Sequence, residues 1–215
     1  HILVLMRNDG TAGTNSWSFT PINVPMGSLI SGSSDMAWGD ADGDGDLDLL
    51  VGSNNLTVLY LNENGNLMPN SNEFPGYWED NSQAEFDLRS ISWVDYDNDG
   101  DQDILIPSVY DQNSLMFRTA LMRNNGKDNN GNLVFTETTS MIDPTNHAQT
   151  TWADYDSDQD LDLLIVNIAP IYNNSYIRLY KNEGNGLLVP EDILGTLAVV
   201  YGEAQWGDYD GDGDL

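Results

Sequence analysis

Cysteine is absent from the 215 residues, which excludes a disulfide framework and a thiolate metal site. Histidine is nearly absent as well. His1 and His147 are the only two, so zinc centres and His-activated nucleophiles are poorly supplied. Positive charge is equally scarce, with 7 Lys and Arg against 35 Asp and Glu and a formal net charge of −28. A field of that sign argues against nucleic acid or anionic membrane as a partner and for bound cations. No stretch approaches the roughly 18 consecutive apolar residues of a membrane span, and the opening HILVLM is too short for the core of a signal peptide. Helical periodicity is missing from end to end.

Aspartate at every second position is what the chain has instead. Trp38 is followed by DADGDGDLD, Trp93 by DYDNDGDQD, Trp152 by DYDSDQDLD and Trp206 by DYDGDGDL. The runs begin at Asp40, Asp95, Asp154 and Asp208, at intervals of 55, 59 and 54 residues. A period of that size marks an array of supersecondary units. Five acids in each of the first three runs and four in the last make 19 of the 35, so the acidity is concentrated in these loops. An acidic coat serving only solubility would not need the alternation.

Oxygen ligands on alternate residues of a tight loop suit calcium, which takes six to eight oxygens in flexible geometry. Numbered from its first residue, the first loop presents Asp40, Asp42, Asp44 and Asp48 at positions 1, 3, 5 and 9, with Asp46 at position 7 binding through its main chain. The second loop offers Asp95, Asp97, Asp99, Asp101 and Asp103, and the third Asp154, Asp156, Asp158, Asp160 and Asp162. The fourth has Asp208, Asp210, Asp212 and Asp214 and ends at position 8. Magnesium demands a stricter octahedron. An EF-hand is excluded because position 12, which must be Glu, is Val51, Ile106 or Ile165. Position 6 must turn sharply, a demand met by Gly45, Gly100 and Gly213. Gln159 occupies that place in the third loop, which is expected to be strained there.

Each complete run is followed by an apolar, branched stretch that reads as a strand buried on both faces: LDLLVG from Leu47, DILIPS from Asp103 and LDLLIV from Leu161. Short strands such as MAW at 36–38 and SISW at 90–93 precede the runs. A third strand closes on Asn and a Gly turn, as LYLNENG at 59–65, LMRNNG at 121–126 and LYKNEG at 179–184, and a short fourth follows, LVF at 133–135 or LLV at 187–189. Four short strands per unit predict an all-β chain of antiparallel β-propeller blades. The expected boundaries are a partial blade at 1–33, blades at about 34–88, 89–147 and 148–202, and a partial blade at 203–215. In this phase LMRNDG at 5–10 is a third strand, Trp17 to Phe19 lie in a fourth and 204–215 holds a first strand. The residues are thus expected to form an open arc of a longer chain whose remaining blades complete the ring. The in-phase tryptophans Trp38, Trp93, Trp152 and Trp206 are expected to fill the wedges between blades.

WGDADGDGDLDLLVGS, WVDYDNDGDQDILIPS and WADYDSDQDLDLLIVN resemble the FG-GAP and VCBS repeats of integrin-like β-propellers, and the LYKNEGNG segments are similar to that family's blade ending. The resemblance implies a propeller, commonly of seven blades, with calcium in the hairpin between the first two strands of a blade. Gln159 and the missing position 9 of the fourth loop depart from the pattern.

Three functions fit this reading. The first is a calcium-stabilised binding or adhesion module, extracellular or at the cell surface because calcium loops of modest affinity need millimolar metal. It would recognise a glycan or a protein through the face opposite the metal loops, where Tyr77, Trp78, Tyr110 and Tyr172 are the candidate contacts; loop aromatics also simply pack. The second is the propeller portion of a secreted polysaccharide-active enzyme, for which clustering of Arg89, Arg118, Arg123 and Arg178 at one pocket would speak; no catalytic residue stands out. The third is a scaffold within a large surface protein.

Overall fold

The computed structural model describes residues 4–10, 17–22, 24, 35–53, 56–72, 74–75, 90–111, 116–138, 142–145, 147–167, 175–191 and 202–215. All regular elements among them are strands, and no helix there is long and apolar enough to cross a membrane. Strand β1 (Leu5–Gly10) pairs antiparallel with β2 (Ser18–Ile22). The first complete sheet follows, with β3 (Asp35–Gly39), β4 (Asp48–Gly52), β5 (Leu56–Glu63) and β6 (Asn66–Pro69) in meander order, and β7 (Phe74–Pro75) extending the edge of β5. The second is built from β8 (Ser92–Val94), β9 (Asp103–Asp111), β10 (Met116–Lys127) and β11 (Leu133–Glu137). The third comprises β12 (Ala148–Ala153), β13 (Asp162–Asn167), β14 (Tyr176–Asn182) and β15 (Leu188–Glu191).

Each complete aspartate run joins the first two strands of a sheet, and the apolar stretch behind it becomes the second strand, buried on both faces. The two-residue alternation of a strand then decides which neighbour each side chain meets. Leu49 and Val51 join Val24, Val58 and Tyr60 on the side of β1 and β2, while Leu50 joins Ile104 and Ile106 of the second sheet. Leu105 points the other way, into a cluster with Leu163, Ile165 and Tyr180 of the third sheet. The sheets therefore pack in chain order, and the first and second complete sheets each share one apolar layer with the sheet before and one with the sheet after.

Two of the four tryptophans fill these joints as expected. Trp93 packs on the layer between the first and second sheets and its Nε1 donates to the Ala37 carbonyl at 3.3 Å. Trp152 does the same one sheet later, donating to Ser92 Oγ at 3.2 Å. Trp206 stacks instead on the Tyr155 ring, with centroids 6.0 Å apart and planes 15° from parallel. Trp38 departs from the expectation: it is 44% exposed. It lies on the side of β1 and β2, a two-stranded sheet that offers no described strand opposite β3. Residues 202–208 likewise carry no strand where a first strand was expected. In the complete sheets that strand bonds only to the second strand, and among the described residues no strand follows β15 for residues 202–208 to pair with.

Gly39, directly before the first loop, marks a close approach between sheets. A Cβ there would lie less than 3.0 Å from the Trp93 ring and from Gln102 Oε1. Gln102 Oε1 already accepts the Asp40 N–H at 2.9 Å, so neither neighbour can withdraw without losing a bond. Gly39→Ala should overpack this joint and lower stability by about 1–3 kcal/mol. Chemical denaturation would measure it, and an unchanged midpoint would show that the two sheets separate freely.

Candidate metal centre

The four loops share one internal wiring, and the position-1 carboxylate is its hub. Asp40 Oδ1 and Oδ2 accept the backbone N–H of Asp44 and Gly45 at 3.1 and 3.0 Å. Asp95 receives Asp99 and Gly100, both at 3.1 Å, and Asp154 receives Asp158 and Gln159 at 2.9 and 3.0 Å. Asp208 closes the fourth loop in the same way on Asp212 and Gly213, at 3.2 and 2.9 Å. The position-5 carboxylate accepts the N–H of position 7 in all four loops: Asp46 to Asp44, Asp101 to Asp99, Asp160 to Asp158 and Asp214 to Asp212. These short bonds curl the chain so that alternate side chains converge.

Such a curl needs left-handed backbone. Position 6 has φ of 92° at Gly45, 94° at Gly100, 101° at Gly213 and 78° at Gln159, so Gln159 does sit in the strained turn. Position 4 is left-handed too, at Gly43, Asn98, Ser157 and Gly211, a second demand that the sequence reading did not register. Gln159→Gly is expected to raise stability by roughly 1 kcal/mol by removing the side-chain penalty, without weakening metal binding at the third loop. Loss of metal from that loop in the variant would show that the Gln159 side chain holds the loop together.

Position 9 is the buried end of each complete loop. Asp48, Asp103 and Asp162 are sealed from solvent, and each accepts two backbone N–H groups. One comes from position 2 of its own loop: Ala41 to Asp48 at 2.8 Å, Tyr96 to Asp103 at 3.2 Å, Tyr155 to Asp162 at 3.1 Å. The other comes from Asn62, Asn124 or Asn182 on the third strand, at 2.7, 2.7 and 2.8 Å. Burial pushes the Asp103 carboxyl up to about 7, with the two donors pulling the other way; Asp48 and Asp162 are raised for the same reason.

Those asparagines are the functional residues that the sequence reading missed. They were legible only as the residue that closes the third strand. Besides donating its N–H to position 9, Asn124 uses Nδ2 on the Gln102 carbonyl of its own loop at 3.2 Å and on the Ala41 carbonyl of the preceding loop at 2.9 Å. Asn182 repeats this on Leu161 and on Tyr96 of the second loop, at 3.2 and 2.7 Å. Their Oδ1 atoms accept from the turn glycines Gly126 and Gly184. Adjacent loops touch a second time where Asn98 Nδ2 reaches Asp160 Oδ1 at 2.5 Å.

Within each loop, ligand atoms from three aspartates fall within 4.8 Å of one another: Asp40, Asp42 and Asp48; Asp95, Asp97 and Asp99; Asp154, Asp156 and Asp162; Asp208, Asp210 and Asp212. Asp42 Oδ1 and Asp97 Oδ1 are buried with no hydrogen-bond partner, on side chains only 10% and 5% exposed. A carboxylate oxygen kept from water and from every donor is a strong electrostatic liability unless a cation answers it. The family model for the FG-GAP-like repeat matches residues 40–106 and 154–215. The chain belongs to the FG-GAP-like repeat family. Both matched stretches start on a position-1 aspartate, and the second loop falls inside the first stretch. No curated protein matches the chain. FG-GAP repeats point to a β-propeller-like binding module, are generally non-catalytic and are usually found in extracellular proteins.

Of the expected contacts on the other face, Tyr77, Trp78 and Tyr172 lie outside the described residues, as does Arg89. Tyr110 is described only by its backbone, in β9 opposite Phe117. Three of the arginines engage different acids: Arg118 pairs with Glu137, Arg178 with Asp143, and Arg123 with Asp97 and Asp99.

Proposed function

We propose that this FG-GAP-repeat chain is a calcium-stabilised extracellular binding module, part of a β-propeller, that recognises a glycan or a protein through the face opposite its metal loops. The observation that carries the metal half is the pair of buried, unpartnered oxygens Asp42 Oδ1 and Asp97 Oδ1 inside carboxylate clusters. The donor set is oxygen only, with carboxylates at positions 1, 3, 5 and 9 and a main-chain carbonyl at position 7, which suits a hard cation of flexible coordination. Calcium would supply charge neutralisation and a rigid hairpin, not chemistry on a substrate.

The binding half rests on the family and on the aromatic segments that carry Tyr77, Trp78 and Tyr172, with Tyr110 near the end of β9 rather than in a loop. Glycan-array and surface-capture measurements on the purified chain, in calcium and in chelator, test it. The expected result is saturable, calcium-dependent binding that Trp78→Ala or Tyr172→Ala reduces by at least tenfold. Folded, calcium-loaded protein that binds nothing would leave a scaffold in its place, and turnover of acidic polysaccharide would replace binding with catalysis.

A further inference from the structure

Basic residues are scarce in this chain, and three of its seven are spent on one kind of atom. Lys127 Nζ lies 3.0 Å from Asp42 Oδ2, Arg123 Nε 2.9 Å from Asp97 Oδ2, and Lys181 Nζ 2.5 Å from Asp156 Oδ2. All three carboxylates stand at position 3. Arg123 also reaches Asp99 Oδ2 at 2.9 Å, and Lys181 lies 3.6 Å from Asp158 Oδ2, both at position 5. Arg123 and Lys181 come from the same place in their sheets, one residue before the clamp asparagine. In the first sheet that place is Leu61, and Lys127 of the second sheet crosses to supply the charge.

We infer that Lys127, Arg123 and Lys181 are built-in counter-cations, which hold the loops folded when calcium is scarce and lower the affinity of those loops for it. The inference rests on the reading that the loops hold calcium. Each cation takes Oδ2 of its carboxylate; in the first two loops Oδ1 stays buried and unpartnered. Metal and side chain thus share one carboxylate from two sides. Two positive charges on one anion oppose each other, and the opposition is reciprocal. The alternative role, orientation of the ligand, is already filled for Asp97 by burial, its side chain being only 5% exposed. Removal of the cation therefore subtracts charge more than geometry.

The test uses Arg123→Gln and Lys181→Gln, which keep donors but lose charge, and Leu61→Lys, which adds an own-sheet cation to the first loop. Calorimetric calcium titration and melting in chelator are measured for each. A unit charge acting on a dication across a carboxylate in near-aqueous dielectric is worth about tenfold in affinity. The Gln variants should bind one ion about tenfold more tightly and melt lower in chelator, while Leu61→Lys should weaken one ion by a similar factor. Weaker binding in the Gln variants would make the cations orienting groups and overturn the inference, as would no change in affinity and melting alike. Wild-type protein that binds no calcium would instead sink the metal reading itself.

Discussion

Calcium added to chelator-stripped protein should raise the melting temperature in a concentration-dependent way, and by a large amount. A ligand that binds only the folded state stabilises it by about 2.7 kcal/mol per site at a hundredfold excess over its dissociation constant. Three complete loops would then contribute about 8 kcal/mol, and for a chain of this size that shifts the midpoint by on the order of 20 °C. The physical source is the crowding of five carboxylates in each of these loops, where each close pair costs on the order of 1 kcal/mol or more. Scanning calorimetry with calcium, magnesium and excess chelator is the direct measurement. Identical melting in calcium and in chelator would remove the metal from the account of the fold.

Asp103→Ala should be the most damaging single substitution in a loop. It leaves the N–H groups of Tyr96 and Asn124 without the acceptor that both use, and an unsatisfied buried donor costs about 1–3 kcal/mol. The expected loss is about 4 kcal/mol, measured by urea denaturation in chelator so that metal does not enter; a loss under about 1 kcal/mol would mean that the loop re-forms around water. The same residue sets a pH dependence. With its carboxyl raised to about 7 against an ordinary value near 3.8, the folded chain holds the proton more tightly than the unfolded chain. In chelator this group's contribution is therefore complete below about pH 4 and lost as the pH rises through about 7. Calcium requires the ionised carboxylate, so affinity at the second loop should increase from about pH 6 to about pH 8 with proton release. A flat affinity over that range would show Asp103 to be ionised throughout.

Local features of this fold were legible in the sequence because local rules govern them. The alternation of Asp40, Asp42 and Asp44, the left-handed turn at position 6 including Gln159, and the buried stretch from Leu47 each follow from a few neighbouring residues. What escaped depends on distant ones. The facing of each side chain cannot be read from a run such as DILIPS, since Ile104 and Leu105 are equally apolar and only the flanking sheets decide which way each points. The clamp asparagines look like turn residues until the preceding loop is placed beside them. Trp38 shares its motif with Trp93, yet differs in exposure because their neighbours differ. The left-handed residues at position 4, as varied as Asn98 and Ser157, carry no single letter that announces them.

Asn124 and Asn182 reach the preceding loop through its position-2 main-chain carbonyl, belonging to Ala41 in one case and Tyr96 in the other. The hydrogen bond itself is indifferent to the side chain it passes, but the joint around it is not. Ala41 is buried in the layer between the first and second sheets, and Tyr96 in the next layer, where a Cβ on Gly186 would lie less than 3.0 Å from its ring. The Gly39 contact with Trp93 adds a further restriction at the first seam. The asparagine bond is thus a connector common to the seams, while the side chains around it match each unit to its own neighbour.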